Sequence, residues 1–490
     1  MLGSKKYISD LIGNDYISWE NTKIILNGGT GCGKTVFACQ VLIPFYLKQN
    51  KKILYLCNRL ELYKQLEKEL KKFKTSNIVL KTYQALQKMI RRTGMPERYD
   101  LIISDECHYF YLDAKFNGYT DLAYRYVMNQ PESVVVFMSA TADSFFSDLI
   151  ADGIVEQNHA YTLPKIYDYV ERVYTYGKDV LTDIIDGILA DNDTDKILVF
   201  VNSMKRLVEM HDYYGDSAYY MCSQSQECRF ADRYCIQNKS FNKRILFATK
   251  VLDNGVDLKD DDLRHIINEI FDLDSALQAI GRKRAVDYFD TCCFYFRIYD
   301  GRAINNFYVS NEKQLSPVTH YLENKEDFLN FLDTQNMDTR QIARKNKIFY
   351  VDMKTDKLCI NNCTLKKYEM DKKTIEKMKE SDYETVLFER LGNDLKSKKA
   401  NLEIEVKSKD TFLFFLKDWE GKKLFKEDQK ELKEKFRDIL GLHDRTMGIN
   451  TLNGKLVDCQ YPFKIVSKQE NSRQSENYKK RYWMIQKVNE

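Results

Sequence analysis

One glycine-rich segment near the amino terminus constrains the fold of this 490-residue chain more than any other feature. Residues 28–35 read GGTGCGKT and match the spacing G-x-x-x-x-G-K-[ST]. The segment follows a short apolar run, Ile24–Leu26, and precedes a helical pattern, Thr35–Gln49. A glycine-rich turn between a strand and a helix offers backbone N–H groups and a helix N-terminus to phosphate oxygens. The segment therefore predicts a nucleotide-binding α/β domain.

Each part of this loop has an expected task. The backbone at Gly28, Gly31 and Gly33 would curl around the phosphates. The amine of Lys34 would reach the β- and γ-phosphates, and the hydroxyl of Thr35 would bind Mg²⁺. A glycine-rich turn that precedes Lys-Thr by coincidence is the alternative, and its position between a strand and a helix argues against it.

A second segment, residues 101–108, reads LIISDECH, an apolar strand that ends in two carboxylates. Asp105 is expected beside Mg²⁺, and Glu106 is expected to orient or deprotonate the attacking water. Two tasks require two groups. A solvated acidic turn after a strand would give the same letters, but the preceding phosphate-binding loop favours the chemical interpretation.

Short β-branched runs alternate with helical patterns over the first three hundred residues, which predicts two α/β blocks with parallel sheets. Strands are predicted at Lys23–Asn27, Lys52–Cys57, Asn77–Lys81, Leu101–Ser104 and Ser133–Met138, then at Tyr169–Thr175, Lys196–Val201, Ala218–Met221, Arg244–Ala248, Arg264–Asn268 and Thr291–Arg297. Helices are predicted at Thr35–Gln49, Glu61–Phe73, Asp179–Leu189 and Ser203–Tyr213. The expected domains are residues 1–163, residues 164–312, and an α-rich accessory region, residues 313–490.

The order of several short motifs resembles that of the superfamily 2 helicases. Residues 105–108 resemble motif II of the DExH type. The segments that resemble the remaining motifs are residues 56–59 (Ia), 81–84 (Ib), 139–141 (III), 196–202 (IV), 247–249 with 254–257 (V) and 278–284 (VI). The resemblance covers roughly residues 20–300. It implies two tandem RecA-like domains, ATP hydrolysis with Mg²⁺, and DNA or RNA as the partner, as a single strand or a duplex.

The resemblance also implies roles for individual residues. Catalytic roles fall to Glu106, Gln278, Arg282 and Arg284, and nucleotide binding to the loop residues together with Asp257. Coupling between domains is implied for His108, Ser139 and Thr141, and nucleic-acid contact for Arg59, Thr82 and Thr249. Thr35 and Asp105 are the implied metal ligands. No adenine-reading segment is recognised before the phosphate-binding loop.

Motif VI departs from the family's usual spacing, Gly-Arg-x-x-Arg, which would place the second arginine where this chain has Ala285. We therefore expect Arg284 to be the arginine finger, with Arg282 beside it. Such a finger stabilises the charge that develops at the γ-phosphate. Lys283 has no assigned task, and a basic helix start that serves only solubility, facing solvent, stays open as the alternative for it.

The carboxyl-terminal region carries a weaker signal. A helix, Asp428–Leu440, precedes two strand patterns at residues 463–466 and 482–485, and this order resembles a winged-helix wing. The intervening loop carries Lys468, Arg473, Lys479, Lys480 and Arg481. These cations would contact phosphates while Tyr478 or Tyr482 stacks on a base. A packing hairpin with a solvated loop is an equal alternative.

Two other patterns in this region have a less specific meaning. Asp394 followed by Glu405 and Lys407 matches the minimal set of a metal-dependent nuclease, but an exposed strand in a Lys- and Glu-rich chain gives the same letters. Cys359 and Cys363 lack a second ligand pair nearby, which argues against zinc.

Composition limits the classes of function. The net charge is only +4, so any affinity for nucleic acid must come from local patches. The sequence offers no secretory signal, no run long enough for a membrane span and no disulfide framework, which predicts a cytoplasmic protein. The Lys-, Asn- and Tyr-rich, Pro-poor composition suggests a bacterial, phage-infected or plasmid-bearing cell. An ATP-dependent helicase or translocase is the leading hypothesis. The alternatives are the motor of a restriction- or defence-type nuclease and an ATP-gated clamp that does not unwind.

Overall fold

The structure is a computed structural model that groups the chain into two compact units. The larger unit comprises residues 1–175 and 194–400, and the smaller comprises residues 176–193 and 401–490. The structure describes residues 7–29, 31–58, 60–94, 96–165, 167–222, 228–232, 235–249, 257–287, 289–352, 354–402, 412–440, 447–458, 461–472 and 475–488.

The first sheet has six parallel strands in the order β3-β2-β4-β5-β1-β6. Its strands are β1 (Lys23–Asn27), β2 (Ile53–Cys57), β3 (Ile78–Thr82), β4 (Leu101–Asp105), β5 (Val134–Ser139) and β6 (Ala160–Thr162). Because β4, β5 and β1 are neighbours, the loops that follow them lie side by side at the carboxyl edge of the sheet.

Alternate residues of these strands face two different cores, as the two-residue period of a strand requires. In β1, Ile24 and Leu26 pack into one core and Ile25 into the other. The first core includes residues of α1 (Ile8–Ile12), α2 (Lys34–Phe37), α3 (Ile43–Lys48) and α4 (Leu60–Leu70), and a π-helical turn, Ala38–Leu42, joins α2 to α3. The second core includes residues of α5 (Tyr83–Thr93), α6 (Tyr109–Leu112), α7 (Thr120–Met128) and α8 (Asp143–Ala151). Single 3₁₀ turns cover Asp15–Ser18, Lys71–Phe73, Gln157–His159 and Gly215–Ser217.

The second sheet has seven strands in the order β15-β7-β12-β11-β8-β10-β9. Its strands are β7 (Val170–Tyr176), β8 (Lys196–Phe200), β9 (Ala218–Met221), β10 (Ile245–Ala248), β11 (Leu263–Asn268), β12 (Cys292–Arg297) and, far along the chain, β15 (Lys399–Ala400). The pairs β15–β7, β12–β11, β11–β8, β8–β10 and β10–β9 are parallel. The helices between these strands in sequence are α9 (Leu181–Asp191), which belongs to the smaller unit, α10 (Met204–Tyr214) and α11 (Leu273–Ile280).

Residues 301–400 form the rest of the larger unit and are mainly helical. They comprise α12 (Gly301–Glu323), α13 (Lys325–Thr334), α14 (Thr339–Lys345), the antiparallel pair β13 (Phe349–Val351) and β14 (Leu358–Ile360), α15 (Asn362–Glu380) and α16 (Tyr383–Ser397). Gly392 interrupts α16, since its φ of +84° lies in a region that glycine occupies readily.

The smaller unit has a core of its own. Its carboxyl-terminal part contains a helix at residues 412–418 (α17), α18 (Lys426–Leu440), α19 (Ile449–Asp458) and an antiparallel hairpin of β16 (Phe463–Gln469) and β17 (Arg481–Lys487). Leu416, Leu432, Leu456 and Ile485 are buried together in this core. Leu424 pairs with Trp483 through two backbone hydrogen bonds of 2.8 and 2.9 Å, so β17 lies between Leu424 and β16.

The predicted α/β class, its parallel sheets and the helical accessory region are confirmed. Every predicted strand of the two α/β blocks agrees with the structure to within one residue at each end. Strands β6 and β13 to β15 were not predicted, because each has only two or three residues and gains its stability from its neighbours in the sheet.

Candidate active site

The phosphate-binding loop joins β1 to α2 with the backbone conformation that its glycines permit. Gly31 and Gly33 have φ values of +83° and +86°. A Cβ atom added to Gly28 would lie 2.9 Å from Sγ of Cys32, so glycine is needed there for close approach. The amine of Lys34 donates hydrogen bonds to the carbonyl oxygens of Gly28 at 2.6 Å and Gly29 at 3.0 Å. The cation thus lies over the loop, where phosphate oxygens would compete for it.

The amino-terminal segment contacts this loop, which the sequence did not predict. Ile8 of α1 donates its backbone N–H to the carbonyl oxygen of Cys32 at 2.9 Å. Tyr7 lies beside Gly33, since a Cβ atom added there would be 3.4 Å from Cδ1 of the ring. Thr35 follows in α2 and is half-buried.

Asp105, the last residue of β4, is buried and fixed by neighbouring groups. Its Oδ2 accepts a hydrogen bond from the Tyr55 hydroxyl at 2.7 Å, and its Oδ1 accepts from the backbone N–H of Glu106 at 3.0 Å. Burial and repulsion by Glu106 raise the pKa of Asp105 to about 6, against the opposing influence of Tyr55 and Lys34. Tyr55 lies on the adjacent strand β2, and sequence motifs alone did not identify it.

Glu106 has a strained backbone and an open side chain. Its φ is +52°, the left-handed region that a residue with a Cβ rarely adopts. About 36% of its side chain is exposed, in contrast to buried Asp105. Burial alone would raise the pKa of Glu106, but the contact with His108 and the charges of Lys34 and Arg282 lower it to about 2. An ionised carboxylate beside a buried one suits two different tasks.

A line of polar contacts runs from Glu106 into the second α/β block. Nδ1 of His108 lies 3.1 Å from Oε2 of Glu106, 3.0 Å from Oγ of Ser139 and 3.4 Å from Oγ1 of Thr141. Gln278, buried in α11, donates from Nε2 to the same Thr141 oxygen at 3.2 Å. Two residues predicted for catalysis, Glu106 and Gln278, are thus brought together with the three predicted for coupling.

The two arginines of the predicted finger differ in their surroundings. Nη2 of Arg284 forms an ion pair with Oδ1 of Asp257 at 2.9 Å. Arg282 donates from Nε to the carbonyl oxygen of Gln278 at 3.1 Å, and its charge contributes to the lowered pKa of Glu106. The charge of Arg282 therefore acts on the Glu106 carboxylate, and the side chain of Arg284 is paired with Asp257.

The expectation that Lys283 faces solvent is wrong. Its side chain is 0% exposed and pairs with the carboxylate of Asp290, while its amine also donates to the carbonyl oxygen of Asp260 at 2.7 Å. A cation is retained there because a buried carboxylate and a carbonyl oxygen satisfy it.

The predicted nucleic-acid contacts are described only in part. Thr82 caps α5, and its hydroxyl oxygen accepts from the N–H of Ala85 at 3.1 Å. Thr249 follows β10 and donates its backbone N–H to the carbonyl oxygen of Met221 at 3.0 Å. Arg59 and residues 254–256 lie outside the described residues.

The loop between β16 and β17 is shorter than the predicted basic loop. Strands β16 and β17 extend to residues 469 and 481, so Lys468 and Arg481 lie on strands, and Arg473 lies outside the described residues. Tyr482 cannot stack on a base, because it is only 7% exposed and packs in the smaller unit. Tyr478 is 39% exposed. The tyrosines could not be distinguished by sequence because both lie within three residues of the start of β17.

The nuclease-like pattern is only partly described. Asp394 lies in α16, where its Oδ1 is 3.7 Å from Nζ of Lys398. Glu405 and Lys407 lie outside the described residues. Cys359 lies in β14, whereas Cys363 is buried in the second core of the first sheet.

Comparisons with known proteins match segments of both α/β blocks. A family model for the res subunit of type III restriction enzymes matches residues 5–77, one for DEAD/DEAH box helicases matches residues 64–149, and one for the helicase conserved C-terminal domain matches residues 179–285. No curated protein sequence matches. Solved structures that match include S. cerevisiae Dbp5 and a point variant of it, both bound to RNA, ADP and BeF3. Each is 18% identical with a TM-score of 0.42, and the match covers 58% of this chain and 81% of the other.

The three family models together match slightly more than half of the chain, in the order in which the two α/β blocks occur. The chain has the two tandem RecA-like domains of a helicase, consistent with superfamily 2. It is an ATP-dependent nucleic-acid helicase in class, and nucleic acid is its partner. Within the described part of the chain, no helix has the length and apolar character needed to cross a bilayer.

Replacing Lys283 by Met should destabilise the second domain by about 3–5 kcal/mol, because Asp290 would keep a buried charge without its cation. The double variant Lys283→Met with Asp290→Asn should recover part of this loss. Urea unfolding measures the effect, with Lys313→Met at an exposed site of α12 as the matched control. A loss as small as that of the control would contradict the buried pair.

Proposed function

We propose that this protein is a motor that couples ATP hydrolysis between its two RecA-like domains to movement along, or unwinding of, nucleic acid. The observation that carries the proposal is the contact line from Glu106 through His108 and Thr141 to Gln278. It links the group nearest the attacking water to a helix of the other domain. A change at the nucleotide would therefore alter the contact between domains, which is what a stepping motor requires.

In this proposal, residues 1–163 bind ATP and residues 164–312 complete the site. Lys34 leaves the loop carbonyl oxygens to bind the β- and γ-phosphates, and Glu106 orients or deprotonates the water. Ionised Glu106 is suited to accept a proton, and His108 holds its carboxylate in place. We also propose that the activity is cytoplasmic.

The residues near the loop suit Mg²⁺, which prefers oxygen ligands. Asp105 is a buried carboxylate whose orientation is fixed by Tyr55, and Thr35 supplies a hydroxyl at the start of the helix after the loop. When bound, Mg²⁺ would neutralise charge on the phosphates. The raised pKa of Asp105 is the response expected of a carboxylate buried beside another one.

We assign the arginine finger to Arg282. The field of Arg282 reaches Glu106, whereas Arg284 is paired with Asp257. Asp257 then orients Arg284. The next residue, Leu258, donates its backbone N–H to the carbonyl oxygen of Arg282 and accepts from the N–H of Arg284, at 2.8 Å each. This assignment reverses the order of preference that the sequence suggested.

A basic groove beside motif Ib supports nucleic-acid binding by the first domain. A cavity of about 370 Å³ lies along α5 and is lined by Gln84, Gln87, Lys88, Arg91, Arg92 and Tyr119. The guanidinium carbon of Arg91 is 3.8 Å from the centre of the Tyr119 ring. Among the described lining residues there are three cations and no carboxylate, as a track for phosphates requires.

The smaller unit is the second proposed contact with nucleic acid. The order Leu424–β17–β16, next to the helices α18 and α19, supports a winged-helix-like arrangement. The hairpin end presents Lys479 and Lys480, with Nζ of Lys479 5.5 Å from the centre of the Tyr478 ring. Cations beside an exposed aromatic ring suit phosphates and a stacked base. A hairpin that only packs is the alternative.

A motor that serves cleavage is the second candidate, and the match of residues 5–77 to the res subunit of type III restriction enzymes favours it. It would place the nuclease set at Asp394, Glu405 and Lys407. Mg²⁺-dependent nicking of duplex DNA that is lost in Lys407→Ala would support it. Intact DNA after prolonged incubation with ATP would exclude it.

ATP hydrolysis by the full chain should rise when a single strand is added, and Lys34→Ala should abolish it, because the γ-phosphate loses its cation. Phosphate release, with single-stranded DNA, single-stranded RNA and duplex in separate reactions, measures the effect and identifies the preferred partner. Lys23→Ala is the matched control on the preceding strand. Full activity without any nucleic acid would argue against a motor.

Arg282→Ala should lower the kcat of ATP hydrolysis by about a hundredfold or more, because a group that acts only in the transition state is lost. Arg284→Ala should lower it by less than about tenfold, since Arg284 faces Asp257. Steady-state kinetics with saturating nucleic acid measures both. A larger loss of kcat in Arg284→Ala than in Arg282→Ala would show that Arg284 is the arginine finger.

Displacement of a labelled strand from a duplex distinguishes the motor from a clamp. The motor should release the strand with ATP and fail to release it in Glu106→Gln, which binds ATP but has lost the catalytic carboxylate. A clamp would show binding that depends on ATP and no displacement by either form.

A further inference from the structure

Helix α15 lies outside the two RecA-like domains in sequence but contributes to the cores of both. Cys363, near its start, is buried in the second core of the first sheet. Ile375 and Met378, near its end, are buried in the core of the second sheet. Tyr368, between them, packs with α12 and α13. One rigid helix thus connects the two domains independently of the linker near residue 164.

The start of α15 is anchored to the first domain by buried polar contacts. Asn361 caps the helix, and its Nδ2 donates to Oγ1 of Thr120 at 3.1 Å. Oγ1 of Thr364 donates to the carbonyl oxygen of Ala114 at 3.1 Å. These groups are buried, so their hydrogen bonds fix the helix more firmly than surface contacts would.

Lys367, one turn further, carries a buried charge that binds the second domain. Its amine lies 2.9 Å from a carboxylate oxygen of Asp272, 2.9 Å from one of Asp274 and 2.8 Å from one of Asp371. Its side chain is only 4% exposed. Burial alone would lower the pKa of Lys367, and the three carboxylates outweigh it and raise that pKa well above its ordinary value.

Two of these carboxylates belong to the start of α11, the helix of motif VI. Asp272 caps α11, because its side chain accepts from the N–H of Ser275 at 3.2 Å. Gln278 lies six residues further along and contacts Thr141. The cation of α15 therefore holds the amino-terminal end of the helix whose other end carries Gln278 and leads to Arg282.

A second cation connects the same cluster to the first domain. Nη2 of Arg390, in α16, hydrogen-bonds both Oδ1 of Asp274 and Oγ of Ser144. Ser144 lies in α8, three residues after Thr141. A cavity of about 290 Å³ lies at this junction, lined in part by Ser144, Asp274 and Arg390. The cluster thus joins α15, α16, α11 and α8.

A buried ion cluster contributes little net stability, because the cost of desolvation offsets the attraction between the charges. Its value lies in geometry, since each charge has one arrangement in which its partners are satisfied. A cluster between two domains therefore specifies how they meet better than an apolar contact of equal area.

We propose that α15 is a brace between the two RecA-like domains, and that Lys367 is a positioning residue that holds the motif VI helix against the first domain. The brace sets the distance over which Gln278 meets Thr141 and Arg282 approaches Glu106. Its effect on catalysis rests on the proposed function, whereas its mechanical effect does not. The region without a family match thereby takes part in the ATPase cycle.

The experiment compares amide hydrogen exchange and ATP hydrolysis in the full chain. Lys367→Met should speed exchange in α11 by about tenfold relative to β1 and β4, because the helix loses its anchor. Its kcat with saturating nucleic acid should fall by about tenfold while the KM for ATP stays within about twofold, since the phosphate-binding loop is untouched. Lys367→Arg should retain both properties. Lys373→Met, on the exposed face of α15, is the matched control.

Ser144→Ala is a second variant that leaves every charge in place and removes only the hydroxyl facing Arg390. It should speed exchange in α11 and lower kcat, each by a smaller factor than Lys367→Met does. If Lys367→Met does not fold, Ser144→Ala tests the brace in its place. Faster exchange confined to α11 supports the brace even if ATP hydrolysis is absent and the proposed function fails. Unchanged exchange in α11, or a uniform rise in all strands and helices, would overturn the brace.

Discussion

The hydrogen bond between Gln278 and Thr141 is the contact on which the active-site geometry depends. It is 3.2 Å long, it joins the two RecA-like domains, and His108 connects it to Glu106. In the proposed site neither domain is sufficient by itself, because the phosphate-binding loop lies in one and the arginines of motif VI in the other. The distance between the domains would therefore control whether the site is complete. In the proposed motor, a nucleotide that draws the arginines inward would change that distance, and a strand held by both domains would move with them.

The order of strands in the first sheet explains why distant segments form one site. Strand β5 separates β4 from β1, so the loop after β5 lies between the phosphate-binding loop and Glu106. Ser139 ends β5 and Thr141 lies in that loop, and both side chains contact His108. The backbone N–H of Cys107 also donates to the carbonyl oxygen of Met138 at 3.1 Å, which fixes the turn after β4. Parallel strands thus gather at one edge groups that lie more than a hundred residues apart.

Much of this arrangement was predictable, because strand periodicity and loop chemistry are local properties. The loop at residues 28–35 and the pair Asp105 and Glu106 were identified from spacing, and the strands agree closely. The burial of Lys283 was not predictable, since its partner Asp290 is set by the path of the chain after motif VI. The brace was hidden for the same reason. Lys367 meets Asp272 across 95 positions of sequence, and a lysine on a Lys-rich helix gives no local sign of burial.

A crystal structure of the protein with ADP, Mg²⁺, beryllium fluoride and a single strand would show whether both domains bind the nucleotide. We expect the amine of Lys34 to leave the carbonyl oxygens of Gly28 and Gly29 and to bind the fluoride group that stands for the γ-phosphate. We also expect the guanidinium of Arg282 to lie within hydrogen-bonding distance of that group, with Gln278 still in contact with Thr141. A nucleotide held by the first domain alone, with both motif VI arginines turned away, would contradict the proposed site.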